Sequence, residues 1–141
     1  MATRNGRVVY ISHPLFTSYY HYAPLPVRTL VGNLIGTVLP EPLLRVEGLP
    51  SFGRAMVTQQ PTRRMVWLTA YVPERRGVSI DMIEEPISLR QTVVRLRLDG
   101  HTPVRVYLAP GGTELPWQVA GGYITVTVPE LVGYAVVVFE E

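Results

Sequence analysis

From Leu43 to the end of the chain, apolar side chains recur at every second position in short runs, and this spacing is the strongest constraint on the fold. It is clearest where Val94 and Leu96 alternate with Arg95 and Arg97. Such alternation is typical of a strand with one face in a core and the other in water. Eight runs predict eight strands: LLRVEGL, RAMVTQ, RMVWLTAYV, TVVRLRL, VRVYLAP, LPWQV, YITVTV and YAVVVF.

Turn signals separate these runs. Asp99-Gly100, Gly111-Gly112 and Gly121-Gly122 mark tight reversals, and the last is predicted to be a hairpin. Strands this short and evenly spaced predict an antiparallel β-sandwich of about seven to eight strands over residues 43–141. Residues 77–89, GVSIDMIEEPISL, are less regular and predict a long connection between the two sheets.

Residues 1–42 follow a different pattern. In Arg7–Ile11 (RVVYI) the residues after Arg7 are apolar without alternation, which predicts a short buried strand of the kind found in parallel sheets. The aromatic- and proline-rich stretch Pro14–Pro26 predicts a loop. A helix is predicted next, starting at Pro26 and ending before Pro40 and Pro42. Its apolar stripe has helical spacing and comprises Val27, Leu30, Val31, Leu34, Ile35, Val38 and Leu39.

One strand and one helix cannot make a parallel sheet by themselves, because parallel strands need neighbours reached by crossovers. Residues 1–42 are therefore predicted to be a βα unit that belongs to a larger α/β domain. The alternative is that the unit packs back onto the sandwich. Either way, we expect a fold that is mostly β, a sandwich preceded by a βα unit.

The composition limits which classes of protein the chain can belong to. With 47% hydrophobic and 17% charged residues, the chain is expected to fold. The net charge of +2 is spread along the chain, which argues against nucleic-acid binding. The absence of cysteine excludes disulfides and zinc–thiolate sites. Neither a signal-peptide core nor an apolar run of about 20 residues is present, so the prediction is a cytoplasmic protein without membrane contact.

No residue pattern predicts a catalytic, cofactor or metal site. Glu84 and Glu85 are adjacent and precede Pro86, so they are predicted to be solvated acids of a loop. Asp99 is explained by its turn with Gly100. The three histidines, His13, His21 and His101, lack the i,i+4 spacing of a zinc helix. A metal site built from His13 and His21 across the intervening loop stays open as an alternative, and no serine lies in a nucleophile elbow.

The aromatic residues are the best candidates for a binding role. Aromatic rings dominate cores and interfaces, and their faces also stack on sugar rings. We therefore predict core packing or subunit contact, or else a sugar-stacking platform, for the following set: Tyr19, Tyr20, Tyr22, Trp67, Tyr71, Tyr107 and Trp117. Trp67 shares a predicted strand face with Met65, Thr69 and Tyr71, a mixture that fits an interface.

Three stretches also carry a family resemblance: GRVVYISHPLF, PVRTLVGNLIGTVLP and VRVYLAPGGTELPWQVAGGYITVTVPELVGYAVVVFEE. Together they resemble the C-terminal end of bacterial glycosidase-like proteins of the β-galactosidase type. The first two are similar to the last strand and helix of the amidotransferase-like trimerisation domain, and the third to the closing all-β domain. The resemblance implies a catalytic barrel with two carboxylates, which has no counterpart here, so no catalytic residue is carried over.

These observations predict a non-catalytic, C-terminal structural or oligomerisation module of a glycoside-hydrolase-like protein, without a cofactor. Its expected partner is a second copy, as a symmetric dimer or trimer, or a companion glycosidase chain. The amphipathic helix and the apolar stretch Pro14–Pro26 support association, because they carry more apolar surface than the short N-terminal strand can cover. The alternatives are a carbohydrate-binding β-sandwich and a small enzyme.

Overall fold

The computed structural model describes residues 2–5 and 8–141, the first four by their backbone alone. The chain divides into two compact units, Met1–Pro42 and Leu43–Glu141. The fold is mostly β with antiparallel pairing and a short helical stretch, as the sequence predicts.

All eight strands predicted after Leu43 are present in the second unit. They are β3 (Leu44–Glu47), β4 (Arg54–Gln60), β5 (Arg63–Thr69), β8 (Ser88–Arg97), β9 (Arg105–Ala109), β11 (Trp117–Ala120), β12 (Tyr123–Val132) and β13 (Tyr134–Glu140). A two-residue strand, β10 (Thr113–Glu114), joins these eight in one hydrogen-bonded set of nine strands. Gly121 and Gly122, both with positive φ, close the predicted hairpin, in which Ala120 pairs with Tyr123.

These strands form the two layers of a β-sandwich. One layer has the order β4-β5-β13-β9-β10, and the other has the order β3-β8-β12-β11. The layers are joined through the β12–β13 hairpin, where Val132 pairs with Tyr134. The Asp99–Gly100 turn leads from β8 in one layer to β9 in the other, so it redirects the chain between layers and does not close a hairpin.

The core lies between the inner faces of the two layers. β5 and β13 contribute from one side, and β8 and β12 from the other. The alternating residues predicted to face inward do so: Val94 and Leu96 are fully buried. Other fully buried members of this cluster are Val66, Leu68, Ile124, Val128, Leu131, Val137 and Phe139.

A buried arginine closes one end of the sandwich. Arg64, at the start of β5, is 3% exposed and forms an ion pair of 2.5 Å between its Nε and Glu141 Oε1. Its two other nitrogens donate to the carbonyl oxygens of Arg97 (2.8 Å) and His101 (3.0 Å). The guanidinium therefore links Glu141, which follows β13, to the end of β8 and to the connection between β8 and β9.

The connection from β5 to β8 links the two layers, as residues 77–89 were predicted to do. It contains a small antiparallel hairpin of two short strands, β6 (Glu74–Arg75) and β7 (Asp81–Met82). Arg75 is paired with Asp81 at 2.6 Å across this hairpin, and Arg76 is paired with Glu84.

The first unit contains β1 (Ala2–Asn5), β2 (Val8–Ile11), α1 (Leu15–Tyr22) and α2 (Leu25–Val38). Helix α2 confirms the predicted helix, and Val27, Val31, Leu34 and Val38 of its stripe are half-buried. Leu30 and Ile35, on either side of this stripe, are 43% and 54% exposed. The apolar face of α2 is therefore wider than the part that the unit covers.

Two predictions for this unit are wrong. The stretch Pro14–Pro26 is not a loop throughout: it contains α1, which ends where Ala23 adopts a left-handed φ of 44° and donates to Tyr19 O. The strand predicted at Arg7–Ile11 is not buried in a parallel arrangement. Arg7 lies outside the described residues, while β2 pairs antiparallel with β1 and leaves Val8 and Tyr10 65% and 68% exposed.

Candidate functional site

The outer face of the β4-β5-β13-β9-β10 layer carries a row of apolar and aromatic side chains. In an antiparallel sheet, directly paired residues point to the same face. Trp67 pairs with Val136, which pairs with Ala109 on its other side, and Met65 and Tyr107 flank Val138 in the same way. Large side chains of β5 and β9 therefore lie on either side of the smaller valines of β13.

This alternation leaves a groove of about 290 Å³ on the outer face, which we call the outer groove. Its floor is Val136 and Val138, which point away from the sandwich core and are nevertheless only 6% and 2% exposed. Trp67 and Tyr107 stand on opposite sides of this floor, and Tyr134 lies at one end. The flanking side chains therefore cover most of the floor.

Hydrogen bonds and ion pairs hold the two flanking aromatic residues. Trp67 Nε1 donates to Thr58 Oγ1 at 2.8 Å, which satisfies the indole N–H and fixes the ring. The guanidinium of Arg105 lies 4.7 Å from the centre of the Tyr107 ring, and its Nε donates to Glu114 Oε1 at 2.8 Å. The Trp67 ring is therefore held by β4, and the Tyr107 ring lies against a guanidinium of its own strand that Glu114 of β10 fixes.

The other end of the groove is charged. Glu140 pairs with Arg63 of β5 on one side and with Arg105 of β9 on the other, which brings a carboxylate and two guanidinium groups to one row. Arg63 lines the groove, and its Nε donates to Gln60 Oε1. An apolar floor, aromatic sides and a charged end together make a small amphipathic site.

Of the seven residues predicted for sugar stacking or an interface, two line the outer groove, Trp67 and Tyr107. Tyr71 packs beside Gly133, and Trp117 is on β11 in the other layer, where it pairs with Val126. Tyr19, Tyr20 and Tyr22 belong to α1 in the first unit.

Sequence reasoning missed the part of the groove that β13 contributes, namely Tyr134, Val136 and Val138. The available signal was the run YAVVVF, which is apolar at consecutive positions and not only at alternate ones. Such a run indicates a strand covered on both faces.

Helices α1 and α2 carry a second apolar surface, which we call the helical surface and define by Phe16, Tyr20, Tyr22, Leu25 and Ile35. These side chains are 70%, 85%, 81%, 66% and 54% exposed, and neither helix contains a buried residue. A shallow pocket of about 210 Å³ between the helices is lined by Phe16, Tyr19, Val27, Arg28 and Val31.

Two of the ionisable residues considered as catalytic candidates, Asp99 and His101, have charged partners. Asp99 is held by Arg97, whose Nε donates to Asp99 Oδ1 at 2.6 Å, and this hydrogen bond lowers the pKa of the Asp99 carboxyl. His101 Nδ1 lies 2.8 Å from Glu141 Oε2, so this histidine has a partner. Within residues 8–141, side chains of His, Asp and Glu do not form a group of three or more that could hold a metal ion.

Comparison with solved structures gives a match over almost the whole chain. An α-L-fucosidase, isoenzyme 2, from Paenibacillus thiaminolyticus superposes with a TM-score of 0.91 at 30% sequence identity, and the match covers 99% of this chain. It covers 21% of the fucosidase chain, so the present chain spans about a fifth of that protein. The chain is therefore similar to one part of a bacterial glycoside hydrolase.

Other comparisons add little. Profiles of known protein families and the curated proteins give no match. In the described part of the chain, no helix has the length and apolar character needed to cross a membrane.

Proposed function

We propose that this chain is a non-catalytic module of a glycoside-hydrolase-like protein and that its role is structural and associative. The similarity to a fifth of a fucosidase chain supports an accessory part of such a protein. The resemblance noted in the sequence supports a C-terminal position for this part, with residues 1–42 as the remnant of an amidotransferase-like domain and residues 43–141 as the closing β-sandwich.

The helical surface is the observation that carries the associative role. Phe16, Tyr20 and Tyr22 expose most of their side chains, although α1 and α2 lie side by side in one compact unit. Exposed apolar patches of this kind mark interaction sites in soluble proteins. We propose a second copy of the chain as the partner, because closed two-fold association is the commonest way to cover such a surface.

Sedimentation equilibrium of the full chain tests this role. We expect a concentration-dependent dimer or trimer, and we expect the double variant Tyr20→Ser/Tyr22→Ser to sediment as a monomer. Because these tyrosines are 85% and 81% exposed, their replacement removes little internal packing. Trp67→Ala is the matched control and leaves association unchanged. A wild-type monomer at all concentrations, or a double variant that still associates, contradicts the proposal.

A carbohydrate-binding module is the second candidate. The outer groove favours it, because two fixed aromatic rings face each other across an apolar floor with a charged row at one end. The similar protein is named as an α-L-fucosidase, so fucosides are the first ligands to consider. This candidate is compatible with the first, since the helical surface and the outer groove consist of different residues.

A further inference from the structure

We infer that the helical surface of one copy of the chain receives a β-hairpin from a second copy. The hairpin consists of residues 74–85, which include β6 and β7, and we call it the hairpin arm. This inference rests on the proposed association of the chain with itself, and it names the surface that meets the helices.

Exposed apolar side chains are concentrated on the hairpin arm. Val78, in the turn between β6 and β7, is 98% exposed, and Ile80, Met82 and Ile83 are 59%, 48% and 51% exposed. Single exposed apolar residues are ordinary on a protein surface, whereas a cluster of them marks an interaction site. Four such side chains within six residues therefore give the arm the character of an interface element.

Polar contacts hold the arm in shape without covering its apolar side chains. Arg75 Nε lies 2.6 Å from Asp81 Oδ1, and Arg75 Nη1 donates to the carbonyl oxygen of Val78 at 3.0 Å. Arg76 pairs with Glu84, which follows β7. Because these contacts already order the turn, a partner that binds the arm has little further ordering entropy to overcome.

The arm and the helices carry opposite charge. Residues 74–85 contain four carboxylates and two guanidinium groups, which gives a net charge of −2. Helices α1 and α2 contain no acidic residue, and Arg28 is their only arginine. The ion pairs described for residues 8–141 involve neither Arg28 nor Glu85. Two exposed charges of opposite sign are thus available to each other across a contact between copies.

This charge pattern favours an arm on the helices over a second pair of helices. Two helical surfaces packed on each other would bring two Arg28 side chains to one interface without a carboxylate from either helix. Like charges facing each other across an interface are unfavourable, and complementary ones select the partner surface. The arm supplies the missing negative charge together with apolar side chains.

The pocket between the helices suits side chains of the arm. Its volume of about 210 Å³ is below the roughly 300–1,000 Å³ of small-molecule sites, and Arg28 is part of its lining. Ile83 precedes Glu85 by two residues, so an exposed apolar group and an available carboxylate occur together on the arm. An apolar side chain seated in the pocket would therefore bring a carboxylate to Arg28. Anchors of this kind, buried in a pocket, carry most of the energy of an interface.

Two-fold symmetry forms this contact twice. Each copy contributes one arm and one helical surface, so a closed dimer leaves neither of them uncovered. A stable interface needs roughly 800 Å² from each partner, and two symmetric contacts bury twice the area of one. We therefore assign the arm-to-helix contact to a two-fold dimer.

Charge reversal tests this assignment by sedimentation equilibrium of the full chain. Arg28→Glu and Glu85→Arg, studied separately, should each weaken self-association by at least about fivefold, because each places like charges at both contacts. An equimolar mixture of the two variants should associate about as tightly as the wild type, because in the mixed dimer each contact again joins opposite charges. Both residues are exposed, and thermal unfolding checks that both variants are folded.

A pair of valine variants tests the apolar part of the contact. Val78→Ser should weaken self-association by about fivefold or more, because it removes the apolar side chain at the turn of the arm. Val104→Ser is the matched control and should leave association unchanged, since Val104 is 77% exposed but lies outside the arm. Both side chains are largely in water, so neither replacement disturbs the core.

The outcomes separate this inference from the proposed function. If Tyr20→Ser/Tyr22→Ser abolishes association while Val78→Ser and Glu85→Arg associate as the wild type does, the helical surface has another partner surface and the inference is wrong. If both charge variants lose association and their mixture does not regain it, the arm does not face Arg28, which also overturns the inference. A wild-type chain that is monomeric at all concentrations overturns both the inference and the proposed function.

Discussion

Gly133 shows how much of this fold depends on single residues. It joins β12 to β13 with a φ of +70°, a conformation that residues with a side chain rarely adopt. A Cβ built at this position would also lie 2.6 Å from Cε1 of Tyr71. Backbone conformation and side-chain packing therefore both require glycine at the junction of the two layers.

Replacement of Gly133 by alanine should lower the free energy of unfolding more than replacement of a glycine that has only the conformational constraint. Gly112 is the matched control, because its φ is +71° and a Cβ there meets nothing within 4 Å. We expect a loss of about 1 kcal/mol for Gly112→Ala and of roughly 2–4 kcal/mol for Gly133→Ala. Urea unfolding measures both losses, and equal losses would contradict the packing of Tyr71 on Gly133.

Sequence patterns predict some of these residues and not others. The Gly121-Gly122 hairpin was predictable, since adjacent glycines between two β-patterned runs are a local signal. The contact between Tyr71 and Gly133 was not, because it joins positions far apart in the chain. The same limit applies to Trp67 and Tyr107, whose shared groove depends on β13 lying between their strands.

At the scale of elements, period-two alternation predicted the strands of the sandwich well. It did not predict their order, since alternation assigns a face to each residue but no neighbour to each strand. The position of β13 between β5 and β9 explains its continuous apolar run: Val137 faces the core, while Val136 and Val138 form the floor of the outer groove.

Helix α1 shows where composition misleads. Aromatic residues and flanking prolines predicted a loop, yet Leu15–Tyr22 is free of proline and glycine and forms two turns of helix. The error for β2 had another cause. The apolar residues of β2 predict a buried strand, but the only strand that pairs with it among residues 2–5 and 8–141 is β1.

The end of β13 supports a prediction about a buried charge. Arg64→Met should lower the free energy of unfolding by about 3 kcal/mol or more, because Glu141 and the carbonyls of Arg97 and His101 lose their partner in a buried setting. Arg75→Met is the control, since the Arg75–Asp81 pair is 62% and 50% exposed and should contribute at most about 1 kcal/mol. If chemical unfolding gives similar losses of unfolding free energy for both variants, buried Arg64 does not stabilise the fold more than an exposed ion pair does.

At the scale of the whole molecule, the two units differ in how they are stabilised. The buried apolar cluster consists of residues between Val66 and Phe139. The helices of the first unit have no buried residue, so their apolar faces are available for association. The sequence predicted an excess of apolar side chains in the first unit, from the spacing of the stripe in α2 and from the composition of residues 14–26. The partner cannot be predicted from that spacing, since many surfaces can cover an apolar helix.

Hydrogen exchange of the full chain, followed by mass spectrometry in dilute and in concentrated solution, tests whether a partner covers the helical surface. We expect β5, β12 and β13 to stay protected at both concentrations. Peptides from α1 and α2 should exchange quickly in dilute solution and slowly in concentrated solution, because association covers the helical surface. Equal and strong protection of α1 and α2 at both concentrations would contradict the claim that this unit is stabilised by a partner.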